Sequence, residues 1–483
     1  MLLAFLPEIL IFASGLLILF LFTLKRSSFD IIASTSFVVL LIILLISVSG
    51  VIPSDTSIGG LFSVNRFTEF FRIIIFVSVL FTFLFSSRSR EISESTAPEY
   101  YMMLFLFASS ASFMVMAENL LALYISMEIL SLISYILVSF DFERARSKEA
   151  GLKYAIYGAA ASALMLFGIS YLYGTTGSLY YSEIAEKLSE ISRGSEPGYL
   201  MHLLITLMIF GGLFFKLAAF PFYAWSPDVY QGGPTPFVAL LSVASKAAAL
   251  GALVKIIMIL FAGKVSDTSG GNISIILSIV SVFTMTIGNL LAINQNNLKR
   301  LLAYSSIAQA GYMIMALSAV DEASVSAVKF YIVAYLVMNL GAFYSVQVIA
   351  DRVNSENIEE FYGLSTRNPF LAAVFTIFLL SLTGIPPFFG FIGKFYLFAA
   401  IISKGGGWYY TLAVIGVINS AISLYYYARI IRAMYLVEGS EEPFIFDSVR
   451  KYTLAFLCIL TIVFGVYFAP VLRMVEYFSM NFR

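Results

Sequence analysis

The chain has 483 residues, 60% of them hydrophobic and only 12% charged, and its mean hydropathy is +0.91. A soluble domain carries roughly twice that charged fraction, so the composition describes a polytopic membrane protein. Lysine plus arginine equals aspartate plus glutamate, giving zero formal net charge, and nothing in that balance calls for a nucleic-acid partner. The single cysteine, Cys458, excludes an internal disulfide and any cysteine-based metal or iron–sulfur site. The single histidine, His202, argues against zinc or haem ligation. The composition is that of a conduit rather than a redox centre. The start of the chain has no basic n-region and no small-residue cleavage site, so residues 2–24 are expected to be a retained span.

Roughly 20 apolar residues cross a bilayer, and spans are marked on that rule. The first two cover 2–24 and 31–52, joined by a loop with Lys25, Arg26 and Asp30. The next four are expected at 68–85, 100–117, 120–140 and, after the charged loop 141–148, at 151–173. The segment 178–198 is charged, with Ile184, Leu188 and Ile191 at helical spacing, and reads as a short surface helix. A seventh span, 200–230, is interrupted by proline, and an eighth covers 236–261. Further spans are expected at 273–293, 301–320, 325–349, 370–398, 408–436 and 452–471. The fold class is therefore an all-α polytopic membrane protein of about fourteen helices.

Short loops facing the cytoplasm are enriched in Lys and Arg. With the N-terminus outside, the inner loops hold Lys25, Arg26, Arg88, Arg90, Arg144, Arg146, Lys148, Lys299, Arg300, Arg352, Arg367, Arg429, Arg432, Arg450 and Lys451. The outer segments hold only Arg66, Lys187, Arg193, Lys264, Lys404, Arg473 and Arg483. Both termini are thus expected outside, with an even number of spans.

The seventh span contains Lys216 five residues before Pro221. A lysine at the bilayer centre costs roughly 2.5–3.5 kcal/mol on insertion scales and marks a functional site by default. The proline breaks the helix, and a break at membrane depth survives only where protein or water satisfies the freed carbonyls. The stretch from Leu382 to Lys394 repeats the device, with Gly384, Pro386, Pro387 and Gly390 before a lysine, five spans later. Two interrupted spans in two halves point to inverted repeats with a midplane pathway. The expected organisation is an N-terminal three-helix segment (1–98), a first repeat of spans four to eight (99–262), an inverted second repeat of spans nine to thirteen (263–438), and a final span (439–483).

Two further charges fall near span centres. Glu128 lies about nine residues into the fifth span and Lys246 about ten into the eighth, near the bilayer middle at 1.5 Å per residue. Burial raises a carboxylate pKa and a neighbouring cation lowers it, so a glutamate facing Lys216 can exchange protons as their separation changes. The bland alternative is a set of charges that only neutralise one another in the packing. Arg72, Lys329 and Lys255 lie toward helix ends, where snorkelling explains them, and Glu118 near its own helix end reads as a cap. Glu149 and Lys153 have the spacing of a same-face pair, and Asp228 reads as a cap or relay residue. The tyrosine run 425–427 reads as an interface belt rather than a quinone site. Taken together, Glu128, Lys216, Lys246 and Lys394 describe an ion-translocating module, and protonatable side chains make the ion a proton.

At these residues the sequence resembles a known family. The stretch Phe220-Pro221-Phe222-Tyr223-Ala224-Trp225-Ser226-Pro227-Asp228 with Pro234-Thr235-Pro236, the segment Asn297-Leu298-Lys299-Arg300, and Gly390-Phe391-Ile392-Gly393-Lys394 are similar to the antiporter-like subunits of respiratory complex I, subunit N above all. The resemblance covers nearly the whole chain. It implies two inverted five-helix repeats with broken helices at spans seven and twelve, Glu128 and Lys216 as coupling pair, Lys246 as central relay, and Lys394 as the lysine near the exit. It implies proton translocation driven by NADH-to-quinone electron transfer elsewhere in the complex, with NADH, FMN, iron–sulfur clusters and quinone held by other subunits and no cofactor in this one. The implied partners are M-type and K-type membrane-arm neighbours and lipid, and the implied place is a bacterial plasma membrane, with a mitochondrial inner membrane as the alternative. Tyr223 and Gln309 stand where some relatives carry histidine, so a relay through those positions needs a hydroxyl or water. A multi-subunit cation/proton antiporter shares this fold, and a structural scaffold is the reading from another class.

Overall fold

The computed structural model describes residues 2–25, 29–49, 55–87, 89–191, 196–261, 268–439 and 442–479. Among them the chain forms α1 (Leu6–Lys25) and α2 (Phe29–Val48), then a hairpin of β1 (Thr56–Ile58) and β2 (Phe62–Val64). Next come α3 (Arg66–Ser86), α4 (Ala97–Met116), α5 (Leu120–Val138), α6 (Ala145–Thr176) and α7 (Tyr181–Ile191). The first interrupted span is α8 (Glu196–Leu217) with α9 (Ser226–Gly232), and the next is α10 (Thr235–Leu240), a π-helical turn (Leu241–Ser245) and α11 (Lys246–Phe261). The second half holds α12 (Thr268–Ile293), α13 (Leu298–Leu317), α14 (Glu322–Val353), α15 (Leu364–Arg367), α16 (Pro369–Thr383), α17 (Phe389–Lys404), α18 (Gly407–Leu436), α19 (Ser448–Val466) and α20 (Ala469–Tyr477). Five residues of the orientation argument, Arg26, Arg88, Arg193, Lys264 and Arg483, lie outside the described residues.

Eleven helical segments among the described residues are long and apolar enough to span a membrane unbroken. The expected count of fourteen adds the two interrupted spans and α13, whose Lys299, Arg300, Ser305, Ser306 and Gln309 lower its hydropathy. The caps are local and readable. Asn65 and Thr68 form a reciprocal capping box at α3, and Asp321 and Ser324 do so at α14; each satisfies donors that a helix start leaves orphaned. Asn119 likewise accepts from the amides of Leu121 and Ala122. Inside the spans, Ser78, Thr82, Ser86, Ser126, Ser131 and Ser134 donate back to the carbonyl four residues earlier, which satisfies their hydroxyls where no water is needed.

The most apolar windows of the α10–α11 span and of α14 are wholly buried, whereas α1, α2, α6, α18 and α19 expose most of theirs. The α10–α11 span and α14, with α13 buried at every residue but Arg300, form the enclosed centre, and α1, α2, α6, α18 and α19 lie at the periphery. Close packing replaces the hydrophobic effect as the cohesive force in lipid. At the α12–α13 contact, a side chain on Gly288 would meet the Ala308 amide at 2.7 Å, and one on Gly311 the Met285 amide at 2.8 Å. Three expectations change. The sixth helix begins at Ala145, so Arg146, Lys148 and Glu149 lie in its first turns rather than in a loop. The last span ends at Val466, because Pro470 starts α20 instead of continuing α19. The hairpin, absent from an all-helical expectation, folds its second strand against the end of α4 through the Phe62–Ala117 bridge.

Candidate functional site

The first break follows Leu217. Ala218 adopts a left-handed conformation (φ 53°), and the amides of Ala218 and Ala219 close the helix end on the carbonyls of Phe215 and Phe214 at 3.0 and 2.8 Å. This is the usual left-handed helix stop, here on alanine instead of glycine. Trp225 Nε1 donates to the Phe215 carbonyl at 3.0 Å, and the Phe220 amide donates to Thr284 Oγ1 on α12 at 3.0 Å. The break is thus held by a side chain from its own span and by one from the second half.

Lys216 sits in the last turn of α8, where the helix dipole favours a cation. It is buried, and its ammonium has no hydrogen-bond acceptor from the protein. It lies 5.8 Å from the centroid of the Tyr154 ring, which stacks on Trp225 at 4.3 Å. Glu128 on α5 is the charged group that acts on it, but no ion pair joins them, and Glu128 Oε1 is buried without a partner. The expected pair is therefore not in contact.

Lys246 follows directly on the π-helical turn. Such turns rotate the register locally and recur at functional sites. The buried ammonium donates to the Ser306 carbonyl on α13 at 2.6 Å. Tyr335 on α14 donates to Ser306 Oγ at 2.8 Å, and Asn339, one turn further, donates to Ser242 in the π-helical turn at 2.5 Å.

The second break follows Thr383. Gly384 is left-handed (φ 89°) and returns its amide to Leu380 and Ser381, while Ser381 Oγ accepts from the Gly390 amide at 3.0 Å. Lys394, on the far side of the break in α17, donates to the Thr383 carbonyl and to Ser420 Oγ on α18, both at 2.9 Å, and lies 4.5 Å from the Tyr312 ring centroid. Lys216 precedes its break and Lys394 follows its own, so the breaks correspond in the two halves but the lysines do not. No ion pair joins any two of Glu128, Lys216, Lys246 and Lys394.

Polar groups fill the space between, and of these the sequence reading singled out only Gln309. Ser305, Ser306, Gln309 and Tyr312 lie on one face of α13; Tyr331, Tyr335 and Asn339 lie on one face of α14. Gln309 accepts from Tyr331, and Ser305 pairs with Tyr427. Tyr426, also from the run expected to be an interface belt, is buried with Tyr427 and donates to Asn289 on α12 at 3.0 Å. A signal existed in the spacings of three and four residues, which place these groups on single helix faces.

Several peripheral charges differ from expectation. Lys255, Arg72 and Lys329 are buried rather than snorkelling. The hairpin and the α4–α5 turn cover Lys255, which pairs with Glu118 at 2.7 Å and donates to the Ala117 carbonyl at 3.1 Å. Arg72 lies between Glu8 at 3.6 Å and Glu69 at 3.5 Å. Lys329 caps the end of α20 through the carbonyls of Val475 and Phe478 at 3.1 and 3.2 Å. Asp228 is neither cap nor axial group: it bridges Lys153 at 2.8 Å and Arg300 at 2.5 Å, while Lys153 pairs with Glu149 at 2.7 Å as its spacing implies.

At that same end of the bundle, Glu91 in the α3–α4 loop accepts from the Thr235 amide at 2.6 Å and meets Lys299 and Arg144 at 3.4 and 3.5 Å. Burial pushes its carboxyl up, but Lys299, the Thr235 amide and Arg144 together hold it below the ordinary carboxylate range. Lys299 also donates to the Gly233 carbonyl at 2.7 Å, so this cluster clasps the α9–α10 turn.

Comparison with known proteins decides the family. The model of the family described as NADH:quinone oxidoreductase/Mrp antiporter, transmembrane, matches residues 117–423. A relative named NADH-quinone oxidoreductase subunit N 2 from Chloroherpeton thalassium is 40% identical over 98% of this chain and 93% of its own. The chain belongs to the subunit N family of NADH-quinone oxidoreductases. Among solved structures, a chain of respiratory complex I from Thermus thermophilus with bound aureothin aligns at TM-score 0.79 and 28% identity, over 96% of this chain and 98% of that one. A chain of the Mrp complex from Dietzia sp. aligns at TM-score 0.82 and 21% identity, over 99% of this chain and 52% of that one; it shares the fold. Subunit N family membership agrees with the fold class and with the resemblance read from the broken-span motifs.

Proposed function

We infer that this chain is the proton-translocating subunit N of a membrane NADH:quinone oxidoreductase. The observation that carries the reading is a set of three buried lysines, one at each break and one after the π-helical turn, with Glu128 the charged group that bears on Lys216 without an ion pair. Hydrogen bonds to the charged form favour it and a nearby charge shifts the balance, so a lysine without protein acceptors responds most to a charge that moves. In this reading Lys216 exchanges protons under the control of Glu128, Lys246 receives at the centre, and Lys394 passes the proton toward the outer side. The Ser306, Gln309 and Tyr331 groups order the space between Lys246 and Lys394.

The redox chemistry belongs to other subunits. Iron–sulfur clusters are assigned there because this chain has one cysteine and one histidine to offer as ligands, and NADH, FMN and quinone are assigned there by the family resemblance. The partners proposed are membrane-arm subunits of M-type and K-type, in a bacterial plasma membrane with both termini outside. The lysine- and arginine-rich loops support that orientation. A second reading, a subunit of a cation/proton antiporter, is favoured only by the fold likeness to the Mrp complex.

Purification separates the two. Recovery with an NADH-oxidising peripheral arm supports the oxidoreductase, and recovery with small membrane subunits alone supports the antiporter. Within the assembled oxidoreductase, Lys216→Ala is expected to lower proton pumping while NADH oxidation in uncoupled vesicles persists. Unchanged pumping would favour the scaffold reading.

A further inference from the structure

One face of α13 crosses the middle of the bundle. Ser306, Gln309 and Tyr312 recur at three-residue steps, which keeps them on neighbouring positions of one helix face over about 9 Å of rise. Lys246 is bound at one end, through the Ser306 carbonyl. Lys394 lies over Tyr312 at the other. Gln309 sits between them, fully buried, with both amide atoms engaged. Its Nε2 donates to the Leu382 carbonyl at 3.0 Å, and its Oε1 accepts from Tyr331. Tyr427, paired with Ser305, lies beside it.

Leu382 and Thr383 are the last residues of α16, where carbonyls lose their helical partners. Gln309 takes the first of these carbonyls, and Lys394 and the Ser420 hydroxyl share the second. The Leu382 and Thr383 carbonyls lie in adjacent peptide planes hinged at the Thr383 Cα, and Thr383 is still helical, so a group that pins Leu382 from α13 restricts how Thr383 faces the lysine. Packing alone would be served by any side chain of this volume. A donor aimed at a carbonyl and an acceptor aimed at a hydroxyl require an amide, a protonated acid or a neutral imidazole. An amide also has no proton to gain or lose, which leaves Lys394 as the titrating group at this place.

We propose that Gln309 is a positioning residue for Lys394: its amide ties the broken end of α16 to α13 and so presents the Thr383 carbonyl to the ammonium. The proposal rests on the reading of Lys394 as a relay member.

The test is the proton-to-electron ratio of the complete complex in proteoliposomes, measured across pH, for Gln309→Leu, Gln309→Glu and Lys394→Met. The titratable groups around position 309 are Tyr312 on its own helix, Tyr331 and Tyr335 on α14, Tyr427 on α18, Lys394 on α17 and Lys246 on α11. Gln309→Leu is expected to lower pumping roughly tenfold, the scale of one lost buried hydrogen bond, with NADH oxidation in uncoupled vesicles retained. Gln309→Glu keeps the shape and, while protonated, can donate to Leu382 as the amide does. Once ionised it repels that carbonyl and draws the Lys394 ammonium away. Its pumping relative to wild type should therefore recover as pH falls, a response that a packing role does not produce. If Gln309→Leu does not assemble, the pH response of Gln309→Glu decides. Wild-type ratios and pH profiles in the 309 variants, beside lost pumping in Lys394→Met, overturn this proposal and leave the relay standing. Normal pumping in Lys394→Met overturns both.

Discussion

The two broken helices use the same backbone device and treat their lysines in opposite ways. Each upstream helix stops on a left-handed residue, Ala218 in one and Gly384 in the other. At the second break the protein supplies everything Lys394 needs: the Thr383 carbonyl, the Ser420 hydroxyl and the Tyr312 ring. At the first break, Lys216 has the Tyr154 ring and the field of Glu128, and no protein acceptor. The surroundings differ in the same sense. Glu128, Lys216 and Ser245 each bury a polar atom with no protein partner, whereas the polar groups around Lys394 bond one another. A buried polar group without a partner costs about 1–3 kcal/mol, and such costs concentrate where a site must change state. In the proposed reading, the first break responds to a nearby charge and the second positions its lysine for transfer.

That contrast can be broken in several places. The largest effect is expected between the breaks: Lys246→Met should abolish pumping while assembly persists, and a normal proton-to-electron ratio would end the idea that the halves communicate through this lysine. Next, Ser420→Ala removes one of the two acceptors that hold Lys394. A hydrogen bond to a charged group contributes about 1.5–3 kcal/mol, so pumping should fall by an order of magnitude in proteoliposome assays. An unchanged rate would mean that the second break is not preorganised. Tyr154→Leu removes the ring over Lys216, a cation–π contact of about 0.5–2 kcal/mol. It should weaken pumping severalfold, and Tyr154→Phe should restore it; failure of Phe to rescue would assign Tyr154 a role through its hydroxyl.

The smallest effect is on stability rather than pumping. Lys299, Arg144 and the Thr235 amide hold the Glu91 carboxyl below its ordinary value, so its stabilisation is fully present above the ordinary carboxylate pKa of about 4.3. It is lost as pH falls through the depressed value. Glu91→Gln should therefore lower the melting temperature of the purified complex at neutral pH, and the gap to wild type should close in acid. An equal gap at both pH values would assign the loss to the Thr235 hydrogen bond instead of the charge.

Much of this was legible in the sequence because membrane spans obey a strong rule: apolar runs of sufficient length, broken where proline and glycine fall. Lys216, Lys246 and Lys394 stood out because an ammonium inside such a run is costly. Their partners did not stand out. Tyr154, Ser420 and Thr383 are ordinary residues in spans, and only the packing of α6 against α8, or of α18 against α17, brings them to a lysine. Lys255 and Lys329 misled for the same reason. Position near a helix end implies snorkelling only if the end is open, and the hairpin and α20 close these ends. Glu91 gave no signal, since its partners come from the starts of α10 and α13 and from the α5–α6 loop. The opposite placement of Lys216 and Lys394 about their breaks was visible in the order of residues, but its meaning required the acceptors.

The most direct test of the responsive first break is the proton-to-electron ratio of the fully assembled, reconstituted complex carrying Glu128→Gln. The substitution removes the charge acting on Lys216 and leaves the second break untouched. The account predicts a ratio well below wild type with NADH oxidation in uncoupled vesicles preserved; a wild-type ratio would contradict it.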